Sequence, residues 1–322
     1  MTSDTGDTVV WQVPLRTRFR GLTSRDGVLV RGDAGWGEFS PFWDYDDVEA
    51  RSWWRAAREA ADTGWPDPVR TSVEVNVTVP AVDPQRAHEI VAVSGCRTAK
   101  VKVAERGQVL ADDQARVEAV RDALGPAGKI RVDANAAWDV DTAVAALAVL
   151  DRAAGGLEYA EQPVPTVADL AALRRRTHVP VAADESIRRS DDPLAVAAQH
   201  AADVVVLKVQ PLGGVRACLE LAERIALPVV VSSALESSVG LAAGLALAAA
   251  LPDLPYACGL GTATLLGADV VAEPLVPTDG RLTVRRPDPV FPVPWAPDAL
   301  VERWTRRVGA VASTGGPVDG HS

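Results

Sequence analysis

The sequence predicts a (β/α)7β barrel of the TIM type, with a small α+β N-terminal capping domain completed by the C-terminal segment. Three observations predict this fold. The 322 residues suffice for one large barrel. From about residue 73, short apolar strands alternate with Ala- and Leu-rich helices, and the links between them are short. Such units pair their strands in parallel, and eight strands favour a closed barrel. An open doubly wound sheet is the alternative, but no Gly-rich phosphate loop follows any of these strands.

The capping domain is predicted over residues 1–72. Residues 8–15 and 27–32 are apolar and β-branched, with turn residues between them, and are expected to form strands. GWGEFSPF at 35–42 is expected to form a Gly-rich hairpin. Residues 45–63 carry an Ala-rich face and two tryptophans, which predicts a helix that ends at Gly64.

The barrel domain is predicted over residues 73–262. Helices are expected between its strands, for example at 112–124 and 213–225. The eight predicted strands are 73–79, 98–103, 129–134, 156–161, 179–184, 203–209, 227–233 and 254–260.

The last part of the chain is expected to leave the barrel. Residues 263–307 are predicted to return to the cap, and the run PLVPTDGRLTV (274–284) is expected to form a strand pair within them. Residues 308–322 have the composition of a disordered tail.

Composition excludes several classes of protein. The net charge is −10, whereas a nucleic-acid-binding protein normally carries a basic stripe. The three cysteines form no spaced pair, so we expect buried, reduced thiols in a cytoplasmic protein. The first residues lack the basic region of a signal peptide, and the longest apolar run, 239–251, is too short to span a membrane. We therefore expect no nucleic-acid or membrane partner; the sequence does not indicate an oligomeric state.

Lysine usage is the first specific sign of function. Of the 33 basic residues, four are lysines, so arginine supplies most of the positive charge. A lysine can lose its proton near neutral pH when its surroundings are tuned, and an arginine cannot. Lys129 precedes a strand and is expected at the surface. Lys100, Lys102 and Lys208 lie instead within apolar, β-branched stretches.

Polar residues recur at the ends of successive strands. Because the carboxyl ends of barrel strands meet at one mouth, these side chains are expected to converge there. The six residues, separated by 31, 28, 23, 24 and 25 positions, are Lys102, Asp133, Glu161, Asp184, Lys208 and Ser233.

The three acids predict a metal site. Asp133, Glu161 and Asp184 come from three neighbouring strands, and such carboxylates would repel one another without a cation among them. All-oxygen ligands favour Mg²⁺, with Mn²⁺ as a substitute. A single acid at a strand end more often caps a helix or pairs with an arginine, but three in register favour a metal.

The lysines predict a general base. Lys100 and Lys102 are two apart on one strand and so point to the same face. Two ammonium groups ~4 Å apart repel by ~4 kcal/mol at an effective dielectric of 20. That repulsion could lower the pKa of one lysine by up to about three pH units, towards the range of a general base. For Lys208 alone, a salt bridge to a neighbouring acid is an equal alternative.

The chemistry that fits is removal of a proton next to a carboxylate. A carbon acid of this kind needs its enediolate stabilised as it forms, which a divalent metal at the substrate carboxylate can do. Ser232 and Ser233, at the next strand end, could hold a remote polar group of the substrate or could be ordinary loop hydroxyls.

The ordered motifs TAKVKV, RVDANAAW, YAEQP, ADES, LKVQPLGG and SSALESSVG resemble the enolase superfamily, in its muconate cycloisomerase-like branch. Within that branch the chain is most similar to the o-succinylbenzoate synthases of actinobacterial type. The resemblance extends from GWGEFSP in the cap to PTDGRLTV near the end. The motifs identify the superfamily better than they identify the substrate.

The resemblance implies a role for each site residue. Lys102 would be the acid/base, with Lys100 as the first lysine of its K-x-K pair, and Lys208 would face it and stabilise the enediolate. Residues around 15–25 would form a lid. The other implied roles are Mg²⁺ ligation by Asp133, Glu161 and Asp184, support of the metal site by Asn135 and Glu185, contact with a substrate carboxylate by Arg131, and lining of the far pocket by Ser232, Ser233 and Gly259.

The implied reaction is the dehydration of 2-succinyl-6-hydroxy-2,4-cyclohexadiene-1-carboxylate to 2-succinylbenzoate, in menaquinone biosynthesis. Sister activities are the alternatives: N-acylamino-acid racemase, dipeptide epimerase or muconate cycloisomerase. A dipeptide epimerase would carry an acidic D-x-D pair after the last strand, where this chain has CGLGTATLL. A racemase needs two facing lysines, which the chain has. A non-catalytic metal-binding barrel is a more remote alternative.

Overall fold

The computed structural model describes residues 8–294 and 296–313. The cap begins with a three-stranded antiparallel sheet of β1 (Thr8–Phe19), β2 (Leu22–Gly32) and β3 (Gly35–Phe39). Helix α1 (Asp47–Arg58) follows and continues into a π-helical turn over Glu59–Thr63. Asp46 accepts hydrogen bonds from the backbone N–H groups of Val48 and Glu49, so it caps the helix where the chain enters it.

The barrel consists of short parallel strands, each followed by helical segments. Within the described residues its sheet has seven strands in the order β11-β10-β9-β8-β7-β6-β5. These are β5 (Val77–Val79), β6 (Thr98–Lys102), β7 (Lys129–Asp133), β8 (Tyr159–Glu161), β9 (Val181–Ala183), β10 (Val204–Leu207) and β11 (Val229–Val231). The helices are α2 (Pro84–Ala92), α3 (Leu110–Leu124), α4 (Val140–Ala154), α5 (Val167–Arg174), α6 (Glu185–Arg188), α7 (Ala195–Ala198), α8 (Val209–Leu212), α9 (Val215–Ile225) and α10 (Ser238–Ala250).

The predicted eighth strand, 254–260, closes the barrel without forming a regular strand. Gly259 donates its backbone N–H to Val231 O at 2.8 Å on one side. On the other side Cys258 donates to Glu74 O at 2.7 Å, and Asn76 donates to Cys258 O at 2.9 Å. The predicted barrel class is therefore confirmed, with its last strand reduced to a few bridging residues.

The predicted first barrel strand is split. Residues 72–74 form β4 (Ser72–Glu74), which pairs antiparallel with β12 (Arg281–Thr283), and β5 joins the barrel sheet. The 274–284 run therefore contributes a strand to the barrel's outer edge rather than a strand pair. A 3-10 turn over Gly261–Leu265 precedes it.

The chain after the barrel contacts the cap. Gly267 donates its backbone N–H to Pro14 O at 2.7 Å, and Arg286 donates to Trp36 O at 2.7 Å. Helix α11 (Asp298–Ala312) packs Trp304 edge-on against Phe39 of β3. The predicted disordered tail is wrong for residues 308–312, which complete this helix because Val308 and Val311 are buried against the cap; residues 314–322 lie outside the described residues.

Buried side chains form separate cores for the two parts. The larger core lies between the barrel strands and their helices and is rich in Val, Ala and Leu. The second core joins the cap sheet, α1 and α11, and contains Trp11, Trp53 and Trp304. In the described part of the chain, no helix is long and apolar enough to cross a membrane.

Candidate active site

The strand-end residues meet at one mouth of the barrel because neighbouring strands are in register. Lys102 pairs with Asp133 across β6 and β7, and Asp133 pairs with Glu161 across β7 and β8. Asp184 follows β9 directly, and Lys208 follows β10. Parallel strands in this register bring their last side chains to one level of the barrel.

Each carboxylate at the mouth contacts a cation. Lys100 Nζ lies 2.7 Å from Glu161 Oε1 and 3.2 Å from Asp133 Oδ2. Lys102 Nζ lies 2.6 Å from the same Asp133 oxygen, and Lys208 Nζ lies 2.6 Å from Asp184 Oδ2. All three carboxylates are almost fully buried, so these ion pairs act in a medium of low dielectric.

The neighbouring carboxylates and cations shift the pKa values of two lysines in opposite directions. Burial alone would lower the pKa of Lys100, but Glu161 and Asp133 raise it above its ordinary value. The predicted lowering therefore does not fall on Lys100, because the repulsion argument omitted the acids between the two lysines. Burial lowers the pKa of Lys208, and Arg188 and Lys100 lower it further against the opposing effect of Asp184.

The acids themselves divide into two kinds. Burial would raise the pKa of Asp133, but Lys102 and Lys100 hold it well below the ordinary range. In the same way, Arg188 and Lys208 hold the pKa of Asp184 well below the ordinary range. Burial and the charge of Asp133 instead raise the pKa of Glu161 to about 7. Glu161 is thus the acid whose charge is least compensated in this arrangement.

The donor set fits a hard divalent cation. Glu161 Oε2 is buried and has no hydrogen-bond partner among the described residues, so one carboxylate oxygen remains available to a ligand. In the part of the chain that the structure describes, the acids do not form a compact group of three metal ligands. Each is held instead by an ammonium or guanidinium group. Oxygen donors with no nitrogen or sulfur favour Mg²⁺.

Asn135 and Glu185 connect the two sides of this cluster. The Asn135 side chain accepts a hydrogen bond from Lys102 Nζ at 2.7 Å and donates to Glu185 Oε1 at 3.2 Å. Arg188 donates to the same Glu185 oxygen at 2.6 Å and to Asp184 Oδ1 at 3.0 Å. It also donates to the hydroxyl of Tyr45, which ties this side of the cluster to the cap. The sequence argument missed Arg188 and Tyr45.

A small pocket, partly open to solvent, lies over the lysines. Ser232, Ser233 and Gly259 form one wall of it. Ser233 and Thr262 hydroxyls are 2.6 Å apart, and a Cβ added at Gly259 would lie 2.4 Å from Ser232 Oγ. The other described residues around the pocket are Phe19, Arg20, Phe42, Thr78, Lys100, Lys102, Asn135, Lys208, Ala234, Leu235 and Thr262.

Arg131, predicted to contact a substrate carboxylate, does not lie among the described residues that line the pocket. Its side chain is fully buried inside the barrel, below the pocket, and its Nε donates to Glu158 Oε2 at 2.6 Å. Its Nη1 donates to Ala257 O at 2.7 Å and to Asn76 Oδ1 at 3.2 Å. Nε and Nη1 are thus bound to protein acceptors, whereas Nη2 is buried and has no hydrogen-bond partner among the described residues. Residues two apart on a barrel strand share the inward face but lie in successive layers, and Asp133 occupies the upper one.

Two buried charged residues of the cap hold the loop that forms the serine wall. Arg25 on β2 donates its Nε to Leu235 O at 3.0 Å. Glu38 on β3 accepts from the Ser237 N–H at 3.2 Å and the Gly240 N–H at 3.1 Å, at the start of α10. Burial raises the pKa of Glu38 to about 7. A glutamate within the apolar strand GWGEF is the sequence signal that could have singled out Glu38, though not its partners on α10.

Comparison with known proteins places this site in a family. Residues 84–289 match the model described as "Enolase C-terminal domain-like", and residues 10–61 match "Enolase N-terminal domain-like". A relative named o-succinylbenzoate synthase from Thermobifida fusca (strain YX) is 68% identical over 276 residues, which cover 86% of each chain. Another of the same name, from Mycobacterium tuberculosis (strain ATCC 25618 / H37Rv), is 55% identical over 305 residues, covering 94% of this chain and 92% of the relative.

Solved structures show the same fold at lower identity. The muconate lactonizing enzyme from Pseudomonas fluorescens, complexed with muconolactone, superposes with a TM-score of 0.75 at 22% identity, covering 94% of this chain and 97% of that one. The L-Ala-D/L-Glu epimerase from Bacillus subtilis gives a TM-score of 0.74 at 23% identity, covering 88% and 96%. The family models cover most of the chain, and the named relatives share more than half of its residues. The chain therefore belongs to the enolase superfamily and, within it, to the o-succinylbenzoate synthase family.

Proposed function

We propose that this protein is an o-succinylbenzoate synthase, a hydro-lyase that dehydrates 2-succinyl-6-hydroxy-2,4-cyclohexadiene-1-carboxylate to 2-succinylbenzoate. The observation that carries the proposal is that Lys102 and Lys208 line one pocket, above buried carboxylates from successive strands. Relatives that share most of the chain's length carry this name. In that reaction the proton lost lies next to a carboxylate, which is the chemistry that this set of groups favours.

Lys102 would act as both base and acid. Its neutral amine takes the proton from the carbon that bears the ring carboxylate, and the electrons of the broken C–H bond enter the enediolate. When the C–O bond at the neighbouring carbon breaks, the ammonium returns that proton to the leaving hydroxyl group. Water leaves, the ring becomes aromatic, and Lys102 ends in its starting state. Its contacts with Asp133 and Asn135 support this role because they hold Nζ at the pocket floor.

Lys208 would stabilise the negative charge that develops on the substrate. It approaches from β10, on the other side of the mouth from β6, and among the described residues it forms an ion pair with Asp184 alone. A positive group in a buried site stabilises an enediolate far more than it would in water. Lys100, which is held between Glu161 and Asp133, would keep the acids in place rather than react.

Asp133, Glu161 and Asp184 would hold Mg²⁺, with Mn²⁺ as a substitute, and Asn135 and Glu185 would support them. Members of the superfamily use Mg²⁺ in general. When bound, the cation would offset the charge on the substrate carboxylate. The oxygen-only donor set and the unpartnered Glu161 Oε2 support this assignment.

The test is an ultraviolet assay of the purified protein with the cyclohexadiene substrate and Mg²⁺, with and without EDTA. We expect rapid loss of the diene absorbance, which EDTA abolishes and added Mg²⁺ restores. Failure of a folded, Mg²⁺-bound protein to convert this substrate would overturn the proposal. The same preparation is then tested for racemisation of N-acylamino acids, epimerisation of dipeptides and cycloisomerisation of muconate, because Lys102 and Lys208 could exchange protons on both faces of a substrate.

A further inference from the structure

We propose that Arg20, in the first hairpin of the cap, binds the second carboxylate of the substrate and so selects dicarboxylates over monocarboxylates. The inference rests on the proposed function, whose substrate carries a succinyl carboxylate as well as the ring carboxylate. The ring carboxylate is the one next to the reacting carbon. The succinyl carboxylate therefore needs a partner elsewhere in the pocket.

The charges around the pocket leave one cation available. Among the described residues that line it, the cationic side chains are Lys100, Lys102, Lys208 and Arg20. The three lysines each contact a buried carboxylate at 2.6–3.2 Å. Arg20 is exposed and makes no ion pair with any carboxylate in the described part of the chain. A free guanidinium matches a carboxylate in both charge and shape.

An aromatic platform positions this guanidinium. Arg20 Cζ lies 4.5 Å from the centroid of the Phe42 ring, which itself lines the pocket. The buried Arg25 contacts the same ring at 4.3 Å, so the platform is anchored from within the cap. Next to Arg20, the Phe19 ring lies 5.6 Å from Lys102 Nζ, which places the hairpin tip beside the reacting group. A side chain that is already held loses less freedom when it binds a ligand.

The backbone of Arg20 gives independent support. Phe19 and Leu22 pair across the hairpin, so Arg20 and Gly21 form a two-residue turn, with φ of 52° and 77°. Both angles are in the left-handed region, where glycine, asparagine and aspartate are favoured and arginine is uncommon. An arginine at this turn is a poor choice for stability alone. Such outliers in a binding site point to a functional requirement.

The test is the variant Arg20→Asn, with Arg18→Gln as the matched control. Arg18 lies on the same hairpin and is exposed. It lines a neighbouring cavity, which shares Phe19, Arg20, Lys102 and Asn135 with the pocket, but it does not line the pocket itself. Two probes are titrated in the presence of Mg²⁺: 2-succinylbenzoate, and 2-butanoylbenzoate, which lacks the second carboxylate. Binding is followed by calorimetry, and thermal stability is measured alongside.

We expect Arg20→Asn to weaken binding of 2-succinylbenzoate by about 10-fold to 100-fold, as loss of a charge-assisted hydrogen bond does. The same variant should bind 2-butanoylbenzoate as the wild type does. Its melting temperature should be unchanged or higher, because asparagine adopts this turn conformation more readily. Arg18→Gln should bind both probes within about 2-fold of the wild type, which is the range expected for a surface charge outside the site.

Equal effects of Arg20→Asn on the two probes, or no effect on either, would overturn the proposal for Arg20. A clear drop in melting temperature, with both probes weakened together, would assign Arg20 a structural role and also overturn it. If the wild-type protein neither converts the cyclohexadiene nor binds 2-succinylbenzoate, the proposed function fails and this inference fails with it. If the wild type converts the cyclohexadiene but Arg20→Asn weakens binding of both probes equally, the proposed function stands and the proposal for Arg20 alone fails.

Discussion

Lys102 and Asp133 are direct partners across two parallel strands, and their side chains meet with Nζ 2.6 Å from Oδ2. The position of the lysine is therefore set by strand register rather than by a loop. Since Asp133 is also the partner of Glu161 on the next strand, one register holds the proposed base and two proposed metal ligands at one level.

Replacing Lys102 by alanine should lower kcat by about 100-fold to 10,000-fold, which is the usual contribution of a general acid/base. The fold and Mg²⁺ binding should persist, because the acids remain. The measurement is steady-state turnover, with Lys129→Ala as control, since Lys129 is an exposed lysine at the opposite end of its strand. Activity of the Lys102 variant within 10-fold of the wild type would contradict the assignment.

Mg²⁺ should stabilise the folded protein against heat. At 100 times its dissociation constant, a ligand that binds only the native state contributes about 2.7 kcal/mol. Glu161→Gln should lose most of this gain, because the amide offers a neutral oxygen where the carboxylate has a buried, unpartnered one. Glu118→Gln, on the exposed side of α3, should keep it. Equal Mg²⁺-dependent shifts in the two variants would argue against Glu161 as a ligand.

Stability should fall as the pH rises from about 5 to 7, in part because of Glu38. Burial raises the pKa of this carboxyl to about 7, from 4.5 for an ordinary glutamate. Between these values the native state holds a proton that the unfolded state has lost, so raising the pH favours unfolding, by up to about 3 kcal/mol. Glu38→Gln should flatten this dependence in urea titrations at several pH values. Glu161 and Glu236, whose pKa values burial also raises, should leave a residual slope of the same sign.

Gly259→Ala should damage the pocket. The added Cβ would lie 2.4 Å from Ser232 Oγ, so Ser232 or the backbone beside it must move. We expect a raised KM and a loss of about 1–3 kcal/mol in the free energy of unfolding, as for other overpacked sites. Gly309→Ala is the control: a Cβ there meets nothing within 4 Å and lies within α11, so it should stabilise by about 0.5–1 kcal/mol.

Arg131→Met should destabilise the barrel but leave KM unchanged where the protein is folded. Removing the guanidinium leaves the partly buried Glu158 carboxylate without its partner, which costs about 3 kcal/mol or more. Chemical denaturation and steady-state kinetics at low temperature test the two effects separately. A raised KM in a fully folded variant would restore Arg131 as a substrate ligand.

The strand-end residues were predictable because the barrel repeats one local rule. Six of the strands end in a polar residue or are followed closely by one, at nearly regular spacing. Parallel pairing brings those ends together whatever the details of the helices. The same rule does not fix the depth at which Arg131 lies in the barrel. Inward direction follows from a two-residue period, but the layer in which a side chain lies depends on its partners, here Glu158 and Ala257.

The contacts between the cap and the barrel could not be predicted from the sequence. Glu38 and Ser237 are far apart in the chain, and neither hydrophobic period nor spacing relates them. Tyr45 and Arg188 present the same difficulty. Such contacts depend on how two cores dock, and a polar residue within an apolar strand marks one member of the pair without identifying the other.

The closure of the barrel by Cys258 and Gly259 has a consequence for its motions. A few backbone hydrogen bonds join this segment to β11 on one side and to residues 74–76 on the other, where regular strands would share a longer ladder. Amide hydrogens along this seam should exchange with solvent through local openings that leave the rest of the barrel intact. Ser232 and Gly259 are bridge partners across this junction, and both line the pocket. A bound substrate that contacts both would hold the two segments together and slow the exchange of their amide hydrogens.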